Sequence, residues 1–313
     1  MLGIPHPIMM GGMQLLSTAE FVAAAANAGV MAFLTAETFP TAEDLRDEIR
    51  KTRGLTNNPF GVNISMLPEL GRGERSLGFA KVAAEEGVAA AETAGNDPAF
   101  LVPVLKGGGI KVFHKVPTLR FAKKAVASGV DGIIIVGFEC GGHPGMDDVP
   151  LSIMLPRAVD ELSVPVIAAG GIADARGFAA ALCYGAAGVL IGTRFVATSE
   201  STMHEMMKKR YLEVTERDTT LIMRTLNNPM RCMKNWATGK ALEMEARHAG
   251  LAELLTIVGG KVGREMYAKG DPEGVPIACG LAASLIHEIK PMGEVVAEMV
   301  SGAHTILSRL RTM

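Results

Sequence analysis

No Cys-x-x-Cys pair and no cluster of histidine with cysteine occurs in this chain. The four cysteines, Cys140, Cys183, Cys232 and Cys279, stand far apart in sequence. That argues against a structural zinc site and for the reduced thiols of a cytoplasmic protein. Net charge is nearly missing too. The 31 basic residues against 33 acidic ones leave a formal −2, too little to gather nucleic acid or an anionic membrane. No run approaches the roughly 20 apolar residues a membrane-spanning helix needs. The start of the chain lacks a basic segment followed by an apolar stretch, so no signal peptide is expected. No Gly-x-Gly-x-x-Gly follows the first apolar run, which counts against a doubly wound dinucleotide-binding sheet.

What remains is apolar and periodic. Of 313 residues 48% are hydrophobic, enough for one large core or a barrel with a smaller appendage. Short apolar runs at residues 7–12, 31–36, 60–65, 89–93, 110–115, 132–137, 165–171 and 188–195 each precede a helix-like segment. Continuous runs of this length suit strands buried on both faces of a parallel sheet. Helices are expected over 18–28, with Ser17 or Thr18 as N-cap, then over 42–51, 79–86 and 118–127, with another capped near Asp97 and Pro98. Eight βα units before about residue 200 predict an α/β fold closed into a TIM (β/α)8 barrel.

After residue 198 the composition shifts to Met, Lys, Arg and Glu without strand-like runs. Short helices are expected at 204–214, 221–226, 230–237 and 240–246. Residues 277–289 and 292–311 are expected to be helical and to return to the barrel. This divides the chain into a barrel of residues 1–200 and 275–313 and a smaller helical domain, 201–274, covering the barrel mouth. The Met-rich stretches 203–207 and 230–233 suit core packing or an interface, which leaves a homodimer open.

Chemistry concentrates at the strand ends. Ala169-Gly170-Gly171 and Gly192-Thr193 close consecutive strands. Glycines there expose N–H groups to a phosphate, where such barrels bind one, or simply make tight turns. His143 lies in the glycine-flanked loop 137–145 and suits a general acid or base beside a flat ligand. Lys115 ends the fifth strand, as a counter-charge to a phosphate or an anionic ring or as a solvated rim residue. Gly12, Met13 and Gln14 follow the first strand and Ser65 ends the third, each offering polar groups at the mouth.

Taken together these residues resemble the nitronate monooxygenase (2-nitropropane dioxygenase) family. The resemblance runs through Pro7-Ile-Met-Met-Gly-Gly-Met-Gln14, Asn27-Ala-Gly29, Pro59-Phe-Gly-Val-Asn63, Glu92-Thr-Ala-Gly-Asn96, residues 137–145, Ala169-Gly-Gly171, Gly192-Thr-Arg-Phe195 and Thr220-Leu-Ile-Met-Arg224. It implies FMN held in a TIM barrel, with Gly12, Met13, Gln14, Ser65 and Lys115 on the flavin and Gly142 and His143 beside its ring. Ala169, Gly170, Gly171, Gly192 and Thr193 would hold the phosphate, and His143 would be the base or proton donor.

The implied activity is oxidation of a small substrate, an alkyl nitronate, with O2. Other branches reduce quinones with NADH or NADPH, or the enoyl bond of acyl chains in fatty-acid or polyketide synthesis. The residue 11–14 and 137–145 segments look most like the NADH:quinone reductase branch. A loop over 67–76, carrying Arg72 and Arg75, is expected to meet a nicotinamide nucleotide's pyrophosphate. Met10 stands where the family commonly has Gln, and Cys279 where many relatives carry Ser, which places a weak donor in the substrate pocket. The rival reading is a barrel that binds flavin or a sugar phosphate without turnover.

Overall fold

The computed structural model describes residues 1–66 and 73–311. Eight parallel strands close into a barrel in chain order: β1 (Ile8–Met10), β2 (Met31–Thr35), β3 (Gly61–Met66), β4 (Ala90–Gly95), β5 (Lys111–Val116), β6 (Gly132–Val136), β7 (Val166–Ala169) and β8 (Gly188–Ile191). Pairing of β1 with β8 leaves no edge. The helices that follow the strands are α1 (Ala19–Asn27), α2 (Ala42–Leu55), α3 (Glu74–Glu85), α4 (Val102–Gly107), α5 (Leu119–Ala127), α6 (Leu151–Glu161), α7 (Ala175–Cys183) and the single turn α8 (Thr193–Val196). This is the expected TIM barrel. Several strands are shorter than their apolar runs because residues such as 11–12 and 170–171 leave the sheet as turns at its C-terminal end.

Apolar residues alternate between two cores. In β6, Ile133 and Ile135 face the helices while Ile134 and Val136 face the barrel interior. The interior alternates large and small side chains. An added Cβ at Gly61 would lie 2.6 Å from the Phe33 ring, and one at Gly132 would lie 2.6 Å from the Phe113 ring. Glycine on one strand thus makes room for phenylalanine on the neighbouring strand.

One expected cap is supplied differently. Thr18 precedes α1 but its side chain caps nothing. The Ala19 N–H donates instead to Glu48 of α2 at 2.6 Å. Asp97 does cap the turn at Pro98–Phe100, through the Ala99 N–H.

Between α8 and the final helix lie α9 (Glu205–Arg210), β9 (Thr219–Ile222), β10 (Met230–Met233), α10 (Trp236–Ala246), α11 (Leu251–Val258) and α12 (Gly260–Lys269). The helices expected at 221–226 and 230–237 are corrected here: β9 and β10 form an antiparallel pair. The connecting turn holds Met223 and Asn227 at positive φ, a backbone a continuing helix cannot use. Helix is also corrected over 277–289, where only Leu281–Leu285 makes a 3-10 turn. Its main chain is bonded to β10: Met233 N–H donates to Ile277 O, and Cys279 N–H to Arg231 O. The Met-rich stretches divide: Met203, Met207 and Met233 are buried, whereas Met206 is exposed.

The last helix, α13 (Met292–Leu310), packs against α7 and α1. It covers the seam that one-turn α8 is too short to cover. Gly302 allows the approach to α7, since a Cβ there would sit 2.6 Å from that of Ala175. Among the described residues no helix is long and apolar enough to cross a membrane.

Gly132→Ala should force the Phe113 ring from its place and destabilise the barrel by about 1–3 kcal/mol, measured as a lower urea midpoint. Adding Phe113→Leu should recover part of that loss. An unchanged midpoint in Gly132→Ala would refute this account of the interior.

Candidate active site

The upper interior of the barrel turns polar across β2 to β5. Thr35 is in register with Asn63, and Asn63 with Glu92. Glu92 is fully buried, so its charge requires partners. It has two: Lys115 Nζ lies 2.5 Å from Oε1 and the Gly12 N–H donates to Oε2 at 2.8 Å. Gly12 must be glycine for a packing reason, because a Cβ would fall 2.4 Å from that of Asn63. Ser65 ends the same inward row of β3. Its hydroxyl lies 3.4 Å from Asn63 Oδ1 and its N–H donates to Glu37 at 2.9 Å. The buried Thr35 hydroxyl has no partner among the described residues.

The opposite side of the mouth is built from turns. Gly170 and Gly171 have φ of +98° and +74°, conformations that favour glycine. Asp174 caps α7 immediately beyond through the N–H groups of Arg176 and Gly177, which fixes the turn between them. Among the described residues the N–H groups of Gly170, Gly171, Gly192 and Thr193 donate to no protein acceptor. The Thr193 hydroxyl accepts the Gly280 N–H at 3.0 Å and keeps its own proton for donation. The space beside Gly192 is open except for Met13 Sδ, 3.8 Å from where a Cβ would stand.

The β6 loop joins these turns to the insertion. Glu139 accepts the Leu151 N–H and caps α6. Gly170 approaches Cys140 so closely that a Cβ would sit 3.0 Å from that of Cys140. Gly142 has φ +73° with nothing within 4 Å of an added Cβ. It exchanges two main-chain bonds with Arg231 of β10: Arg231 N–H to Gly142 O at 2.6 Å, and Gly142 N–H to Arg231 O at 3.1 Å.

The Arg231 guanidinium is buried and, among the described residues, bonds only to neutral oxygens, Phe138 O twice and Thr219 Oγ1. It also stacks on the Phe138 ring at 4.3 Å. Burial lowers its pKa.

His143 follows directly. Its Nδ1 lies 3.0 Å from Pro229 O. A carbonyl only accepts, so Nδ1 carries the proton in the neutral ring and Nε2 is the basic nitrogen. The ring is solvent-exposed on one side, yet the protein packed around it removes enough water to lower its pKa from the usual 6.5. The imidazole is therefore neutral at physiological pH. His114, by contrast, is buried on the helix-facing side of β5 against Thr93 Oγ1, and burial pulls its pKa down to about 4.

Most of the residues singled out from the sequence do meet at one end of the barrel, on the β1, β3, β5, β6, β7 and β8 ends. Others stand differently. Lys115 is not a bare rim cation but half of an ion pair. Cys279 is fully buried, with its thiol directed to Gly280 O at 3.5 Å. Gln14 is exposed on the turn after β1, and Met10 packs outward among the helices. Arg75 donates to Phe39 O and stacks on Phe79, while Arg72 and the rest of 67–72 lie outside the described residues. Neither Arg231 nor Glu92, which stands in the motif at 92–96, was expected to be a site residue. A lone glutamate inside the apolar run 89–93 was the available signal for Glu92. Among the described residues no group of His, Cys, Asp and Glu is placed to hold a metal.

Comparison with known proteins identifies the family and the fold. Residues 1–302 match the profile of the family described as nitronate monooxygenase. The chain is 38% identical over 262 residues to the (3aS,4S,5R,7aS)-5-hydroxy-7a-methyl-1-oxo-octahydro-1H-indene-4-carboxyl-CoA dehydrogenase of Mycobacterium tuberculosis, covering 83% of this chain and 71% of that protein. It is 28% identical to the nitronate monooxygenase of Paraburkholderia phytofirmans, covering 99% and 96%. Among solved structures, FabK from Thermotoga maritima superposes with a TM-score of 0.92 at 33% identity, covering 99% of this chain and 96% of the other.

Both Arg231→Ala and Arg231→Lys should destabilise the protein by about 1–3 kcal/mol in chemical denaturation, since each leaves the Phe138 carbonyl short of its fork of donors. Full stability in the lysine variant would show that charge alone suffices there.

Proposed function

The chain belongs to the nitronate monooxygenase family, and we propose that it is an FMN-dependent oxidoreductase with the flavin lying across the barrel mouth. The observation that carries this reading is the set of unpartnered N–H groups at Gly170, Gly171, Gly192 and Thr193, on the same rim as a neutral histidine. FMN fits that rim. Its phosphate is an anion that needs such donors, and its flat ring needs the open space left at Gly142 and Gly192.

Bound FMN supplies two-electron chemistry, taking up or returning a hydride equivalent. The chain's own residues do the rest. The β7 and β8 turns bind the phosphate, with the Thr193 hydroxyl as a further donor. Gly142 permits close approach of the ring. His143, tied through Nδ1 to Pro229 O, takes or returns the substrate's proton at Nε2.

A carbon made acidic by a neighbouring electron-withdrawing group is the substrate this pairing suits. Family membership favours an alkyl nitronate, the form of such a carbon that has already lost its proton, oxidised with O2; there His143 has no proton to remove and acts only in returning one. The 38% identity to a dehydrogenase of a CoA ester favours a second reading, a CoA thioester oxidised or reduced beside its carbonyl. NADH or NADPH as electron donor is the remaining route for loading the flavin.

Anaerobic mixing of the purified protein with propyl nitronate, an enoyl-CoA, NADH or NADPH, followed by stopped-flow absorbance, separates these readings. Bleaching by nitronate alone supports the first. Bleaching by a nicotinamide, then reoxidation by the enoyl-CoA, supports the second. A colourless protein that FMN cannot reconstitute overturns both.

His143→Ala should keep its flavin and lose about 10²–10⁴-fold in turnover, and full turnover at saturating substrate would remove His143 from the chemistry. Because the His143 pKa is lowered, the base form survives as pH falls through 6.5. The acid limb of kcat/KM is therefore expected below that value, and a limb above it would contradict the assignment.

A further inference from the structure

We propose that Glu92 is a positioning residue that sets the charge of the cofactor site by neutralising Lys115. The inference rests on the FMN reading above and deepens it. Among the described residues Lys115 is the lysine or arginine that reaches the mouth from the interior faces of β1 to β4 and the upper half of β5, while Arg231 of β10 stands on the opposite, β6 side. Left alone, an ammonium at that level would favour an anionic, reduced ring strongly.

The structure does not leave it alone. Glu92, on the adjacent strand and wholly buried, holds Lys115 Nζ at 2.5 Å and anchors it from below. Its second oxygen is taken by the Gly12 N–H. The carboxylate is thereby fixed at both oxygens, and the Asn63 side chain packed against Gly12 holds that main chain in place. A carboxylate that served only to fill space would not be retained in a wholly buried position, where its charge is costly without a partner. What it accomplishes is electrostatic: the ring meets a neutral pair, and the reduced form loses the stabilisation that a bare cation would give.

The pair makes opposite-signed expectations for its two members. Glu92→Gln keeps the shape and an oxygen for Gly12, but leaves Lys115 uncompensated. The bound FMN should then become easier to reduce, by at least a tenfold change in the reduced-to-oxidised ratio at fixed potential, or ~30 mV for a two-electron couple. Lys115→Met leaves Glu92 uncompensated and should shift the potential in the other direction. The double variant should return close to the starting value.

Spectroelectrochemical titration of FMN-reconstituted wild type and the three variants tests this. Opposite shifts that cancel in the double variant support the proposal. Equal potentials in wild type and both single variants overturn it while leaving the FMN reading intact. A wild-type protein that takes up no flavin removes both. Should Glu92→Gln fail to fold, Glu92→Asp decides: it draws the carboxylate back from Lys115 Nζ, and a potential that does not rise is incompatible with a neutralised pair.

Discussion

The barrel mouth is organised by two main-chain hydrogen bonds between Gly142 and Arg231. They tie the β6 loop to a strand of the insertion, across 89 positions of chain. Once they form, several other placements follow. Pro229, two residues before Arg231, arrives against His143 and selects its tautomer. Arg231 closes over Phe138 and holds the start of the same loop. Its carbonyl also receives the Cys279 N–H, which brings residues 279–281 against Glu139, Gly141 and Thr193. Glycine at 141, 142 and 280 is what lets these main chains meet, since a Cβ at 141 or 280 would lie within 3.0 Å of the opposing backbone and 142 sits at positive φ.

The interior of the barrel shows how a polar site is grafted on an apolar cylinder. Below, phenylalanine side chains interlock with glycines of the neighbouring strands. Above, the same inward positions of β2 to β5 become Thr35, Asn63, Glu92 and Lys115. In a low-dielectric wall the carboxylate and the ammonium stand only as a pair. The polar wall faces a rim of glycines on β6 to β8, so one side of the mouth offers side-chain polarity and the other bare N–H groups. A ligand with a flat head and an anionic tail matches that asymmetry.

Much of this was legible in the sequence, for definite reasons. Strands buried on both faces read as runs such as Gly132-Ile-Ile-Ile-Val136, and their number dictated closure. Gly170, Gly171 and His143 stood out because they follow such runs. The β9–β10 pair was missed because Thr219-Thr-Leu-Ile222 and Met230-Arg-Cys-Met233 are four residues each and set among Met and Arg. The Asn227-Asn-Pro229 turn between them was the signal that could have revealed it. Glu92 became meaningful only with the register, which points it inward beside Lys115. Cys279 shows a different limit: its motif position suggests a pocket residue, while its placement, with the backbone held by β10 and the thiol buried, depends on main-chain contacts that no sequence pattern announces. No feature of the structure explains why that thiol replaces a hydroxyl.

The central claim is that the β7 and β8 turns recognise the phosphate of a flavin mononucleotide. Titration of the flavin-free protein with FMN and with riboflavin, followed by fluorescence quenching, tests it most directly. Two or more charge-assisted hydrogen bonds at about 1.5–3 kcal/mol each should make FMN bind roughly a hundredfold tighter or more. Equal affinities for FMN and riboflavin, or binding of neither, would contradict the account.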